Sequence, residues 1–582
     1  MNKNIYLLGI LLVLLYLALS VSTIDTTGLV WDETRYLAAS KVRMHSIYSW
    51  ATGNPPMEMC TIDHVPEGDG WGRCWHNRPR LAQTISGFTW AITFFLNGQQ
   101  LDFWSSVAAH RIAIMLLVAI GVFVLFLFTS EAYSIRAGTF ASLSLIFMPR
   151  FFSHSHYMTL DVTAAIMMLI ASYFFWKGLR DWRFGLLTGV MMGLALASKI
   201  QAYILFVAIP LWLLISYRDR LVPAARKIKH SNMVAALRRV PLVAYSSIML
   251  TPLVLIAAWP WLWKDTVPRL LDYFGFYSNQ SANIHVPVYY LGQIFQSPPW
   301  HYPWVMSSVT MPAAILILAL AGTYFGLKNT VSLKDRAFML PFLCAFLLLA
   351  FFSTPFGDPH DVVRLFVPIF PFVAMISGIG ADRIISLLSD KYGHKIHIAA
   401  ILAAIIAASA VIPLAGGMPN MVSYYSEIVG GTGGAYAAGF ELDYWGESYL
   451  HLVPWMNSNL EEKAVVHVPM AWNIFNAYKH GDIGQIGERV PSSDLDSRGL
   501  NLAIFDQEGI LRNDIIISTE KEGADYYVIL NRRSIVDSSS TSEPYNAVEM
   551  ASYMEGCEPL YSVAAGGVPV SMIFRTDCLE GD

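Results

Sequence analysis

Asp32, Glu33 and Arg35 stand within Trp31-Asp-Glu-Thr-Arg-Tyr36, about ten residues beyond an apolar run, Ile5 to Val21, that is long enough to enter a membrane. Two adjacent carboxylates and a guanidinium at a bilayer edge are more polarity than a turn needs for packing. Three further polar groups punctuate later apolar runs. Arg150-Phe-Phe-Ser-His154-Ser-His156-Tyr-Met-Thr-Leu-Asp161 lies between two of them, Lys199 closes Gly193-Leu-Ala-Leu-Ala-Ser-Lys, and His360-Asp361-Val-Val-Arg364 precedes Leu365-Phe-Val-Pro-Ile-Phe-Pro371. A carboxylate at a membrane surface can take the proton of an attacking hydroxyl. Lysine, as a point charge, and arginine, through its fork, can hold and neutralise a phosphate. Such a set suits transfer of a group from an anionic lipid carrier.

Each residue also has a plainer role. Arg35 and Lys199 can snorkel to headgroups, and Asp161, followed by Val162-Thr-Ala-Ala165, can cap a helix. His154 and His156 alternate, so an extended chain would let both reach one ion, but no firm third ligand accompanies them and a divalent cation is not favoured. In a loop, alternation would turn only one of Asp32 and Glu33 inward, which leaves open which is the base.

The elements that must position these groups are read from composition. The chain has 582 residues, 55% hydrophobic and 14% charged, with a mean hydropathy of +0.45, which places it among polytopic membrane proteins. Its net charge of -4 points to no nucleic-acid partner. Candidate spans run over 5–22, 106–128, 137–149, 162–176, 185–198, 201–217, 241–258, 303–326, 337–355, 365–381 and 398–415, about eleven crossings. Lysine and arginine gather in 177–184, 218–240, 327–336 and 382–397, all on one side under this numbering, which the positive-inside rule makes cytoplasmic. The amino terminus is then cytoplasmic, and the four polar groups and the carboxy-terminal part are extracytoplasmic, at the cell (plasma or inner) membrane.

The first outer loop, 23–105, contains an apolar stretch, Leu81 to Leu96, whose crossing would invert every later loop; it is expected to lie in the interface. The long loop 259–303, rich in Trp and Pro, suits the headgroup layer, either as belt residues or as a lining for a lipid headgroup. The composition turns mixed after Gly416. Residues 1–415 are therefore expected to form the membrane domain and 416–582 a soluble α/β domain. Its strands are expected at Lys463–Val468, Leu500–Asp506, Asp514–Ser518, Tyr526–Asn531 and on both sides of Gly566-Gly567, and its helices at Ser448–Leu460 and Ala471–His480. Cys60 and Cys74 share the first outer loop and Cys557 and Cys578 the final domain, an arrangement that suits two disulfides on an oxidising face.

These segments, in this order, resemble the GT-C superfamily of membrane glycosyltransferases, in particular its protein O-mannosyltransferase and aminoarabinose-transferase-like branch. Asp32-Glu33-x-Arg35-Tyr36 is similar to the branch's first-loop acidic motif, and Asn77-Arg78-Pro79-Arg80-Leu81 to its basic-Pro-Pro-Leu stretch, with Arg80 in place of the second proline. Pro149 to Asp161 resembles the second-loop motif ending in Asp, Ser198-Lys199 a Thr-Lys pair that contacts phosphate, and Asp361 to Pro371 the motif opening a late span. Tyr424-Tyr425-x-Glu427-x-x-Gly430-Gly431 and Glu441 to Gly446 resemble a segment that some microbial members carry after their last span.

The resemblance implies transfer of a sugar from a polyprenyl-phosphate donor to a protein, lipid or glycan acceptor on the outer face, with inversion and without a metal or other cofactor. The expected catalytic carboxylates are Asp32, as general base, with Glu33 and Asp161. Arg35, Arg78, Lys199 and Arg364 are expected on the donor phosphate, and Tyr36, His154, His156, His360 and Asp361 along the substrate. The rival reading is a transporter or flippase of lipid-linked sugars. Transporters tend to show inverted repeats and ionisable groups near mid-span, whereas here no half is duplicated and the charges gather at span ends.

Overall fold

A computed structural model describes residues 3–52, 79, 81–98, 101–227, 242–278, 286–331, 337–415, 420–480, 509–537 and 546–579. Sixteen helices make up the part before residue 416 among these: α1 (Lys3–Ser22), α2 (Glu33–Thr52), α3 (Leu81–Leu96), α4 (Phe103–Ala132), α5 (Ile135–Ile146), α6 (Pro149–His154), α7 (Leu160–Gly178), α8 (Trp182–Leu196), α9 (Leu205–Lys227), α10 (Leu242–Ala258), α11 (Thr266–Ser278), α12 (Tyr302–Val309), α13 (Ala313–Val331), α14 (Met339–Phe352), α15 (Phe370–Tyr392) and α16 (Lys395–Ala415). Among the described residues five stretches are long and apolar enough to cross a membrane by length and composition: Asn4–Ser22, Phe103–Ala132, Leu160–Gly178, Arg364–Tyr392 and Lys395–Pro413. Seven shorter apolar helices accompany them. The chain is an integral membrane protein of polytopic helical architecture.

Most of the eleven expected spans fall on one helix, two of them, 201–217 and 365–381, entering it through the short turns Ile200–Ile204 and Arg364–Ile369. The exception, 303–326, is two helices, because Pro312 has no N–H to donate and disfavours helical backbone at Met311; α12 ends at Val309 and α13 starts at Ala313. The acidic stretch also differs from the loop expected for it, since Glu33 opens the five-turn α2. One side of α3, carrying Ala82, Gln83, Ser86, Gly87, Trp90 and Phe94, is buried, while Phe88, Ile92 and Phe95 face outward.

Helix α15 runs through the middle of the bundle and is held by close backbone approach. A Cβ on Gly322 of α13 would lie 2.0 Å from the Ile376 carbonyl oxygen, one on Gly380 would lie 2.0 Å from that of Leu318, and one on Gly378 would lie 2.2 Å from that of Ala137 in α5. Small residues at such crossings let helices pack by dispersion where lipid offers no hydrophobic gain. At the periphery most of the side chains of α16 are turned outward, as lipid-facing residues would be.

Strands β1 (Val288–Tyr290) and β2 (Gln293–Phe295) form a hairpin before α12. A second sheet, from β3 (Val465–His467), β4 (Ile516–Ser518), β5 (Tyr526–Leu530), β6 (Tyr561–Ala565) and β7 (Val568–Arg575), has the order β4-β3-β5-β7-β6. β3 runs parallel to both β4 and β5, and β7 antiparallel to both β5 and β6. Every residue of β5 is buried, as expected for a central strand covered on both faces. Gly566 and Gly567 both have positive φ (56° and 80°) and close the β6–β7 hairpin. Helices Val453–Asn459 and Trp472–His480 lie where expected, and Cys557 is disulfide-bonded to Cys578. The expected strand Leu500–Asp506, and Cys60 and Cys74, lie outside the described residues.

Gly322→Val is expected to push α13 from α15. The loss in stability should be about 1–3 kcal/mol, the usual range for overpacking, and should appear as a lower unfolding midpoint of the detergent-purified chain. A wild-type midpoint would show that the crossing tolerates the added volume.

Candidate active site

Four helix ends, far apart in sequence, meet at one place. Asp32 precedes α2, its carbonyl accepting the Tyr36 N–H at 3.2 Å. Asp161 lies in the first turn of α7, where the helix dipole favours a carboxylate. Lys199 follows α8 and caps the short turn Ile200–Ile204. Arg364 opens the turn Arg364–Ile369 that leads into α15, with Pro368 and Pro371 setting the entry of that helix.

Arg364 is the hub. One guanidinium nitrogen donates to Asp32 Oδ2, Nη1 donates to Asp361 Oδ2 at 2.8 Å, and Nε lies 3.9 Å from Asp161 Oδ2. Its plane sits 4.8 Å from the Trp445 ring centroid. Lys199 Nζ donates to Asp161 Oδ1. Asp361 is shared: its Oδ1 accepts from Arg532 Nη2 at 2.9 Å. Burial by itself would raise the Asp361 carboxyl, but the charges of Arg532, His360 and Arg364 outweigh it and hold the group down at about 2. Lys199 is pushed below the usual lysine range by burial, against the pull of Asp161.

Expected neighbours fall in two groups. Tyr36 is buried on the first turn of α2 within electrostatic reach of Arg364, and Arg35 beside it is partly exposed. His154 Nε2 lies 3.1 Å from the Tyr444 hydroxyl and its ring packs 5.0 Å from that of Trp445. Burial lowers its pKa to about 3, although Asp161 pulls the other way. His360 is buried with Nδ1 3.1 Å from the Asp358 carbonyl oxygen, and burial lowers its pKa as well.

Glu33 and His156 face elsewhere. Because a helix turns about 100° per residue, Glu33 leaves Asp32 behind. It accepts from Arg111 Nε (2.9 Å) and Nη2 (2.7 Å) of α4 and from the Met158 N–H (2.9 Å). Both members of this ion pair are fully buried. Arg111 also donates to the Thr27 and Gly28 carbonyls at 2.7 Å each, so the pair clamps the acidic loop to α4. His156 reaches back to α1, its Nε2 2.8 Å from Thr23 Oγ1 and 3.1 Å from the Ser20 carbonyl oxygen. The two histidines thus point to different partners and do not form the paired ligand set that an extended chain would allow. Among the described residues no three of His, Cys, Asp or Glu gather as a metal site. Arg78 lies outside the described residues.

Several residues at this site were not singled out as site residues from sequence. Tyr444 and Trp445 lie in the quoted Glu441–Gly446 segment, but nothing in their spacing points them at Arg364. Arg532, two residues past the end of the buried strand β5, had as its signal a charged Arg532-Arg533 pair just beyond an apolar run. Asp443 organises the turn that presents Trp445 by accepting the N–H groups of Trp445, Gly446 and Ser448 at 3.0, 2.8 and 3.1 Å. Glu441, buried beneath Arg532, is raised to about 7 by burial despite that charge. The loop bearing Asp361 is strained: Asp358, Asp361 and the β-branched Val362 have φ of 40°, 54° and 56°, a conformation that costs about 1–3 kcal/mol per residue unless its surroundings impose it.

The carboxy-terminal region closes over the acidic loop. The Trp31 N–H donates to the Trp445 carbonyl at 2.9 Å, and the Leu29 N–H to the Tyr478 hydroxyl at 2.9 Å. Asn473 Nδ2 donates to the Trp31 carbonyl at 2.8 Å and to Thr34 Oγ1 at 2.7 Å. Gly28 is the point of closest approach, where a Cβ would lie 2.1 Å from the Glu447 carbonyl oxygen.

Residues 88–245, just over a quarter of the chain, match the family described as dolichyl-phosphate-mannose-protein mannosyltransferase. No curated protein matches the chain in sequence. Among solved structures it is similar to ArnT from Cupriavidus metallidurans bound to undecaprenyl phosphate, at 14% identity over 97% of each chain with a TM-score of 0.47. It is also similar to the oligosaccharyltransferase AglB from Archaeoglobus fulgidus in complex with an inhibitory peptide and a dolichol-phosphate, at 11% identity over 89% of this chain and 69% of that one, with a TM-score of 0.46.

Removing one member of a buried ion pair strands the other. Glu33→Ala should therefore cost about 3–5 kcal/mol and lower the unfolding midpoint sharply, whereas Asp32→Asn, at a partly exposed position, should leave it nearly unchanged. Equal midpoints for the two variants would overturn this division of roles.

Proposed function

We propose that the chain is a membrane glycosyltransferase that moves a sugar from a polyprenyl-phosphate donor to an acceptor hydroxyl with inversion at the anomeric carbon, a reading supported by the mannosyltransferase family's pattern across residues 88–245. The observation that carries the reading is the meeting of Asp32, Asp161 and Asp361 with Lys199 and Arg364 at the ends of separate helices.

In the proposed step the acceptor oxygen attacks the anomeric carbon as its proton passes to Asp32, the bond from that carbon to the phosphate oxygen breaks, and the polyprenyl phosphate leaves. The donor phosphodiester carries one negative charge, and a second develops on the phosphate as it departs. Lys199 and Arg364 stand where that charge would grow, and preorganised cations at such a point lower the barrier. Arg35 and Arg78 are further candidates for the same phosphate. Arg364 donates to Asp32. A phosphate that draws Arg364 to itself would release the Asp32 carboxylate to act as base only when a donor is present. Asp161, fixed by Lys199, orients the substrate, and Tyr36, His154, His360 and Asp361 line it.

The same reading sets the orientation. The basic connections lie on the cytoplasmic side, and the site and carboxy-terminal region lie outside. The Cys557–Cys578 disulfide supports the outer placement, because such bonds persist where conditions are oxidising.

The catalytic assignment is tested with purified protein, labelled undecaprenyl-phosphate mannose, parallel donors carrying other hexoses, and a membrane extract as acceptor. Asp32→Asn should slow transfer by about 10²- to 10⁴-fold, the span of general-base effects; label moved at the wild-type rate would refute it. Orientation is read separately in intact cells. A thiol reagent that cannot cross membranes should modify a cysteine placed at Ser552 and spare one placed at Asp390, both exposed positions; the reverse pattern would invert the topology.

A further inference from the structure

Arg532 comes from the sheet-bearing carboxy-terminal region, yet its guanidinium ends at the site. It is almost fully buried, and each of its nitrogens has a partner. Nε donates to Ser534 Oγ at 3.2 Å, Nη1 to the Tyr444 carbonyl at 3.0 Å and Nη2 to Asp361 Oδ1 at 2.9 Å. Its plane lies 6.0 Å from the Trp31 ring centroid, next to Asp32. Asp361 is thus held from both sides, by Arg532 on one oxygen and Arg364 on the other. It belongs to the loop in which Asp358, Asp361 and Val362 keep positive φ.

We propose that Arg532 is a positioning residue for the transfer reaction, holding the strained 358–363 loop and, through Asp361, the aim of Arg364 at Asp32 and the donor phosphate. The carboxy-terminal domain is then a working part of the site, although it supplies no group to the reacting atoms. The inference rests on the transfer reading for its consequence but not for its geometry. A strained backbone with a β-branched residue at positive φ persists only where neighbours impose it. Here the neighbour that joins the loop to the other domain is one guanidinium with three fixed acceptors. Lysine, with one nitrogen on a flexible stem, can match one of those contacts but not all three.

The test combines Arg532→Gln with Asp361→Asn in a double-mutant cycle on the full-length detergent-purified chain, with Arg532→Lys as the conservative variant. Arg575→Gln is the control, since Arg575 pairs with Glu461 at an exposed position away from the site. The first readout is amide hydrogen exchange in peptides spanning 354–366, with β5 peptides reporting that the fold is intact. Arg532→Gln should speed exchange in 354–366 and leave β5 protected, and Arg575→Gln, whose side chain touches Tyr526 of β5, should leave 354–366 unchanged.

The second readout is affinity for undecaprenyl phosphate. Arg532→Gln should weaken it about tenfold and Arg532→Lys less, but on the Asp361→Asn background Arg532→Gln should add under about twofold, as expected when one residue acts through the other. Unchanged exchange in 354–366, or additive losses across the cycle, would overturn the inference while leaving the transfer reading in place. Failure of the unaltered chain to bind undecaprenyl phosphate would count against the transfer reading, and the exchange data would still decide the role of Arg532.

Discussion

One guanidinium shared among three carboxylates is the interaction on which the arrangement depends. Arg364 reaches Asp32 before α2, Asp161 at the start of α7 and Asp361 in its own loop. Each of those carboxylates, placed near a membrane without a cation, would face the cost of desolvation. With Lys199 and Arg532 added, three cations face three anions, so the charges of the cluster balance one another. The balance also makes it responsive. A cation shared in this way can exchange one acceptor for another without leaving its place.

A second, fully buried pair does different work with the same chemistry. Glu33 and Arg111 hold no exposed surface and satisfy backbone groups on both sides of the acidic loop. The two adjacent carboxylates are therefore divided by environment: Glu33 is a structural anchor, and Asp32 is the partly exposed one facing the cluster. The start of a helix between them makes the division, and a loop reading could not foresee it.

Much of the architecture was legible because membrane helices announce themselves by length and apolarity. The charges at their ends were legible for the complementary reason, that charge is costly there unless it is used. Asp32, Asp161, Lys199, Asp361 and Arg364 all came from that argument and all meet. The carboxy-terminal strands were readable from β-branched and aromatic runs, and the Gly566-Gly567 turn from its conformational need. Illegible were the contacts that depend on how two regions dock. Trp445 carries ordinary local sequence and the Arg532-Arg533 pair marks only the end of an apolar run; packing alone brings Trp445 and Arg532 to Arg364 and Asp361. The direction of His156 was hidden likewise, because its partners Ser20 and Thr23 lie at the end of α1.

The hydrogen bond from Trp31 to Trp445, with Gly28 pressed against Glu447, has a consequence for biogenesis. During synthesis, the acidic loop emerges roughly four hundred residues before the segment that completes its surroundings, and contacts of such sequence separation form late. A nascent chain carries these carboxylates through the whole of membrane insertion before their later partners exist. Only when translation has delivered the carboxy-terminal region are these contacts complete, so a polypeptide cut short after α16 would lack the partners that Trp31 and Asp361 have in Trp445 and Arg532.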